Sequence, residues 1–317
     1  MKKNVRTNVI YTEVAKKLGL ATEIVQSSRT KKSLLISSDE TFCLVGVGHP
    51  GFYPAARRGV GHFSASKLLT QKILARYGYN VIQTKEIRIG DFSSAKALAT
   101  HIRTTGHTFP VLTKPDQGYD GIGISIAENS AQLTKVGRKY YQDKDDFLVQ
   151  PILDQPEYRI LVVGNEVMFI HSKHNQGVTG DGKSTITQLL AKVKDSTKDT
   201  AFIAWQHKKL GTKSSTVLEA GTLFEYHLIK IPSAVYYKTK NFPPALKKWA
   251  LGVSKTLSTN VVGIDVFIPG DFADTDSYTI IELNTNPALY YLPKRCNDDV
   301  IAFTVVEKIL RSYFKLK

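Results

Sequence analysis

Cysteine is nearly absent: Cys43 and Cys296 are the only two in 317 residues. They lie far apart, so neither a disulfide framework nor a cysteine metal-binding spacing can be built from them. A reducing cytoplasm is the default compartment. No apolar run reaches the ~18 residues that a membrane-spanning helix needs. The N-terminus, Met1-Lys2-Lys3-Asn4-Val5-Arg6, is basic, but no apolar region follows it, so a secretory leader is not expected. Acidic residues are scarce too. There are 28 Asp and Glu against 43 Lys and Arg, a net charge of +15. Such a surplus suits nucleic acid, an anionic surface or acidic small molecules. The basic residues are scattered as pairs, among them Lys16/Lys17, Arg57/Arg58 and Lys247/Lys248, without a stripe or an arginine-rich arm. A lysine-rich solvated surface accounts for them, and neither a membrane nor nucleic acid is the expected partner.

What is present is an ordinary globular balance, 42% apolar and 22% charged, in a chain long enough for two or three lobes. Helical spacing runs from Asn8 to Leu20, with Gly19 as a stop. Short strands follow at Ala21 to Val25, Ser33 to Ser37 and Thr41 to Val47. Residues 48–66 form a long loop rich in glycine and aromatics, in which Arg57, Arg58 and His62 are candidates to meet an anionic substrate. Ser66 caps a helix from Lys67 to Tyr77. A strand at Asn80 to Thr84, a helix from Ser93 to Thr105 and a strand at Phe109 to Pro115 come next. Further helices are expected at Ser130 to Tyr141, Ser184 to Lys194, Pro243 to Leu257 and Asp298 to Phe314. Strands are expected at Phe147 to Leu153, Glu157 to Val163, Glu166 to His171 and Thr222 to Ile231. Residues 198–215 are mixed and basic, without a clear element.

Three stretches carry chemistry. Val261 to Ile268 reads as a buried strand with one carboxylate, Asp265. Tyr278 to Ile281 is an apolar run delivering Glu282, Asn284 and Asn286 in alternation, before Pro287. On a strand these three project to one face, and neighbouring strands could bring Asp265 and Glu282 to one hard cation. In the third, Lys114 stands at the end of its strand and the hairpin Asp116 to Gly123 follows. Its glycines let backbone N–H groups approach phosphate oxygens, with Lys114 as point charge. A fourth stretch, Gly177 to Ser184, matches the P-loop pattern letter for letter. A P-loop NTPase is thus a rival, opposed by the hairpin turn Gly164-Asn165 before it and the missing βαβ succession after it.

In order along the chain, these pieces resemble the ATP-grasp superfamily of carboxylate–amine ligases. Within it they are most similar to the ATP-grasp module of cyanophycin synthetase and of bifunctional glutathione synthetases. The likeness runs from about residue 43 to 290. It is carried by Gly46-Val47-Gly48, by Ser66-Lys67 to Thr70 at a helix start, and by Lys114-Pro115 with its glycine hairpin. Glu157-Tyr158-Arg159, Thr179 to Gly182, Gly263-Ile264-Asp265 and Glu282 to Pro287 complete it. The resemblance implies an α+β ATP-grasp fold, two α+β subdomains clasping ATP plus a small N-terminal α/β lobe. The boundaries expected are 1–65 for that lobe and 66–317 for the ATP-grasp domain, with a lid subdomain at about 85–150 and a metal-binding subdomain at about 151–317. It also implies that Lys67 and Lys114 hold ATP phosphates and that the hairpin with Gly118, Gly121 and Gly123 closes as a lid. Gln150 and Leu153 would line the adenine pocket, and Glu157 would bind the ribose. Asp265, Glu282 and Asn284 would hold two Mg²⁺ ions, a role Mn²⁺ could also fill. Arg159 and Lys173 would be cations beside the transferring phosphoryl group.

This chain departs from the family pattern in places. Gln150 stands where the family usually has Glu, although a carboxamide oxygen can still accept from the adenine amino group. Gln155 replaces a common Gly. The family's Asn-x-Ser-x-Gly-Gly segment is not visible near residues 230–240, and Pro287-Ala288 replaces Pro-Gly. The chain ends at 317, with no appended Mur-ligase-like domain expected. The implied activity is an ADP-forming acid–amino-acid ligase acting on small carboxylate and amine substrates, amino acids or peptides. A homodimer is common among similar enzymes. Two alternatives use the same fold: a small-molecule kinase, and a nucleotide-binding regulatory protein.

Overall fold

The structure is a computed structural model and describes residues 7–26, 32–47, 66–118, 121–194, 198–238, 241–285, 287, 289 and 300–316. Arg57, Arg58, His62, Gly48 and Asn286 lie outside the described residues. In chain order the elements are α1 Thr7–Lys17, β1 Ala21–Gln26, β2 Lys32–Ser37, β3 Phe42–Val47, α2 Lys67–Arg76, β4 Lys85–Ile87, α3 Ala95–Thr104, β5 Val111–Pro115 and β6 Ser125–Ala127. They continue with α4 Ser130–Asp143, β7 Phe147–Pro151, β8 Glu157–Val163, β9 Glu166–Thr179, α5 Ile186–Ala191, α6 Thr200–Leu210, β10 Leu223–Lys238, α7 Pro244–Thr256, β11 Val261–Phe267, β12 Thr279–Asn284 and α8 Ile301–Phe314. No described helix is long and apolar enough to cross a membrane.

The chain divides into two compact units, one from 1–82, 155–172 and 232–317, the other from 83–154 and 173–231. Residues 173–231, expected with the C-terminal part, cluster with 83–154.

In the first unit, β8, β11 and β12 pair antiparallel, within a sheet ordered β10-β9-β8-β11-β12. Side chains alternate across this sheet, and its two faces bury different partners. Ile160, Val162, Val262, Ile264 and Val266 point to one face and pack with Leu74 of α2 and Leu246, Ala250 and Val253 of α7. Leu161, Val163 and Val261 point to the other. There they join α1, α8 and the inward residues Leu34, Ile36, Cys43 and Val45 of the antiparallel sheet β1-β2-β3. Burial pushes the Cys43 thiol up to about 12, so it is an inert core residue.

A β-bulge interrupts the β11–β12 pairing. Asp265 faces Glu282, but Val266 faces Ile280, so Ile281 has no partner on β11. Strict alternation would put Ile280 and Glu282 on one face. The extra residue shifts the phase, so that Ile280 and Leu283, three apart, both enter the same core cluster. Glu282 is thereby turned away from that core and onto the Asp265 side. Gln71 of α2, almost fully buried, donates through Nε2 to the Ile281 carbonyl at 2.8 Å.

In the second unit the sheet order is β4-β7-β5-β6. Val111, Phe147 and Val149 cover α3 and α4 through Leu98, Ile102, Leu133 and Tyr140, with Phe147 stacked on Tyr140 at 4.6 Å. The opposite face carries Lys114 and Gln150, since Lys114 pairs with Leu148 and Leu112 with Gln150.

Several expected boundaries shift. Asn80 to Thr84 is not a strand: Val81 makes a single parallel bridge to Ile280, and the strand falls at Lys85–Ile87. α3 starts at Ala95 instead of Ser93, with Ser94 as its cap, whose hydroxyl accepts from Ala97 N–H. β9 runs on to Thr179, well past His171. α6 fills the stretch left unassigned at 198–215. Asp199 caps it by accepting from Phe202 N–H, and Gly211 closes it at φ +63. Phe147→Ala removes a fully buried ring and should cost about 3–5 kcal/mol, read as a lower urea midpoint for the second unit.

Candidate functional site

The predicted site residues fall into two sets. Lys67, Glu157, Arg159, Asp265, Glu282 and Asn284 belong to the first unit. Lys114, Gly118, Gly121, Gly123, Gln150, Leu153 and Lys173 belong to the second.

In the first unit, register alone aligns Arg159, Asp265 and Glu282 in one row across β8, β11 and β12. Asp265 is 1% exposed. Arg159 Nε donates to its Oδ1 and Nη2 to its Oδ2, both at 2.6 Å, a bidentate pair of the strong kind. Asn284 stands opposite Gly263. A Cβ on Gly263 would lie 3.5 Å from Arg159 Cδ and 3.6 Å from Pro287 Cβ, so the missing side chain leaves room beside the row. Glu157 shares the Arg159 face one pleat away. Lys67 opens α2, where the Ser66 hydroxyl accepts from Leu69 N–H at 3.0 Å.

The donor chemistry of this row suits a hard cation. Two carboxylates stand side by side with one guanidinium between strands, which leaves a net negative charge on the row. A carboxylate has about four lone-pair positions, so Asp265 can serve Arg159 and an ion together. Among the described residues there is no group of three His, Cys, Asp or Glu side chains that could hold a metal. A metal here would rest on two carboxylates and the Asn284 carboxamide.

In the second unit, Lys114 is 4% and Gln150 2% exposed, on one face of the sheet. Gln150 Nε2 donates to Thr84 Oγ1 at 2.7 Å. With the amide nitrogen on Thr84, its oxygen is left as an acceptor. Thr84 was not singled out by sequence, because nothing short of the fold puts it beside Gln150. The hairpin has the backbone that its glycines foretell: φ is +137 at Gly118, +71 at Gly121 and +81 at Gly123. Tyr140 donates its hydroxyl to the Gly123 carbonyl at 3.0 Å, and a Cβ on Gly121 would run into Ile229. Leu153 is half-buried in the segment after β7, and Lys173 is half-buried on β9.

The P-loop alternative fails on its own hydrogen bonds. A P-loop must turn backbone N–H groups toward phosphate. Here Gly180 N–H goes to Thr222 O and Gly182 N–H to Leu218 O, while the N–H groups of Lys183 and Ser184 go to the Asp181 carboxylate. Ser184 Oγ joins them at 2.7 Å. The Ser184 backbone and hydroxyl, and then the Lys183 N–H, hold the Asp181 carboxyl well below the usual carboxylate range. The helix that follows has six residues. Gly180 is needed because a Cβ there would strike the Glu219 carbonyl and Leu218.

Residues 64–215 match the family described as "RimK-like ATP-grasp domain". Over this segment the chain is similar to RimK-like ATP-grasp domains. The bifunctional glutathione biosynthesis protein GshAB of Enterococcus faecalis is 29% identical over 249 residues, covering 71% of this chain and 32% of that protein. GshAB of Listeria innocua is 25% identical over 244 residues, covering 71% and 31%. The chain therefore spans about a third of the length of the curated relatives it matches. Among solved structures, a bifunctional glutathione synthetase from Pasteurella multocida aligns over 98% of this chain and 43% of its own, with TM-score 0.53 and 18% identity. A D-alanine–D-alanine ligase from Bacillus anthracis aligns over 81% and 69%, with TM-score 0.51 and 14% identity. These likenesses establish the ATP-grasp fold, an α+β fold of antiparallel sheets and helices.

Within the ATP-grasp domain the two lysines are separable by experiment. Lys114→Ala should abolish ATP binding in a fluorescent-nucleotide titration, whereas Lys183→Ala should leave it within about twofold, as expected of an exposed surface change. Asp265→Asn should destabilise the first unit by about 1.5–3 kcal/mol, because it removes the carboxylate charge that accepts from Arg159 Nε and Nη2. Thermal unfolding without nucleotide reads that cost apart from any effect on turnover.

Proposed function

We propose that the chain is an ATP-dependent carboxylate–amine ligase, forming an amide or peptide bond through an acyl phosphate and releasing ADP and phosphate. The single observation that carries this is the Arg159–Asp265–Glu282 row, in a chain whose segment 64–215 matches an ATP-grasp family. The match to glutathione biosynthesis proteins and the fold shared with a D-alanine–D-alanine ligase support a substrate class of amino acids or peptides. Use of ATP suits the cytoplasm.

A carboxylate attacking ATP is a meeting of two anions, so the protein has to neutralise charge and align the partners. Lys67 and Lys114 are assigned to the phosphates, with the Gly118 to Gly123 hairpin as the flexible cover. Gln150 and Leu153 are assigned to adenine and Glu157 to the ribose hydroxyls. Arg159 and Lys173 offset charge on the transferring phosphoryl group. Asp265, Glu282 and Asn284 would hold Mg²⁺, which when bound neutralises phosphate charge. The substrate carboxylate oxygen bonds to the γ-phosphorus as the bond to ADP breaks. The amine nitrogen then bonds to the acyl carbon as phosphate leaves, and the nitrogen gives up a proton. None of these steps needs a nucleophilic Ser or Cys.

The test is a screen of amino-acid and dipeptide pairs for amine-dependent ADP release, with product mass read directly. An amide product with free phosphate is expected. Glu282→Gln and Lys114→Ala should each reduce turnover at least ~100-fold, as loss of a charge-stabilising group does. A phosphorylated product without an amide would make the chain a kinase instead. Amine-dependent ADP release that survives both substitutions would overturn the assignment.

A further inference from the structure

The bulge in β12 does not hold itself. Ile281 lacks a partner on β11, and an unmet buried carbonyl is costly. A helix distant in sequence meets it: Gln71 Nε2 donates to Ile281 O at 2.8 Å, and Gln71 is 3% exposed. Ile281 immediately precedes Glu282. The bulge it creates is what turns Glu282 from the Ile280 side to the Asp265 side. The same helix presents Lys67 one turn before Gln71, on the same face by (i, i+4) spacing. Leu74, the next residue on that face, packs in the cluster that holds Ile280. One buried amide thus ties together the seat of Lys67 and the backbone that aims Glu282.

We propose that Gln71 is a positioning residue for the metal-binding row: by holding the Ile281 carbonyl it fixes the bulge that places Glu282 beside Asp265. This rests on the assignment of Glu282 as a metal ligand. Its role would be exerted through the strand, by the bond to the Ile281 carbonyl. Outer groups that orient ligands typically govern metal affinity by 10–100-fold, so its loss should appear in binding and not in stability alone.

The experiment titrates Mn²⁺ into the full chain with ADP present, following free Mn²⁺ by electron paramagnetic resonance. Gln71→Met keeps length and apolar volume but has no donor. Gln71→Asn keeps the amide but falls short of Ile281. Gln71→Lys restores a donor of sufficient reach. Met and Asn variants should bind Mn²⁺ about tenfold more weakly, and the Lys variant should recover most of the loss. If Gln71→Met does not fold, Gln71→Asn carries the comparison. Wild-type Mn²⁺ affinity in a folded Met or Asn variant would reduce Gln71 to an ordinary packing bond and overturn the proposal. Glu282→Gln serves as the control. If it too binds Mn²⁺ normally, the ligand assignment itself is wrong. If it alone loses Mn²⁺, only the role of Gln71 falls.

Discussion

Register between β8, β11 and β12 is the constraint on which the rest depends. Asp265 has Arg159 on one side and Glu282 on the other only because the strands are held at those offsets. A slip by one residue would send the whole row into the opposite core. The apolar residues that alternate with the row, Ile160, Ile264 and Val266, are fully buried against α2 and α7. Hydrophobic burial on one face thus fixes charged geometry on the other. The Arg159–Asp265 pair then adds directionality. Its burial makes it a poor source of net stability, since desolvation offsets most of the attraction, but it leaves little freedom of angle.

The second unit uses the same logic with different chemistry. Phe147 and Val149 anchor β7 in a core of aromatic and aliphatic side chains, and the intervening Leu148 and Gln150 face the other way. Lys114 and Gln150 share that face because β5 and β7 are antiparallel neighbours, not because they are close in sequence. The glycine hairpin beyond Lys114 is tied down at its base by Tyr140 and lined by Ile229.

Much of this was legible in the residues. Alternation around Glu282 and Asn284, the lone carboxylate in the buried run at Asp265, and a lysine before a glycine hairpin all correspond to groups placed on strand faces or turns. The bulge was not legible, because period two predicts Ile280 beside Glu282, and only the β11 register exposes the extra residue. α6 was missed because Phe202, Ile203 and Trp205 sit too close together for a clean helical stripe. Its signals were the Asp199 cap and Gly211. Asn80 to Thr84 looked like a strand from its composition but supplies one bridge. The P-loop letters at Gly177 to Ser184 are explained by local needs: a close backbone approach at Gly180 and an Asp181 carboxylate that absorbs the donors.

The contrast between the buried row and the surface charges has a consequence for ionic strength. Pairs such as Lys17–Glu307, Lys208–Glu128 and Lys308–Glu166 are exposed on at least one side, and counterions screen them over a length of about 8 Å at physiological salt. The same screening relieves the mutual repulsion of a chain carrying +15. Arg159 and Asp265, with side chains 14% and 1% exposed, feel that screening much less. The charged coat of the molecule therefore answers to salt, while the strand row answers to packing.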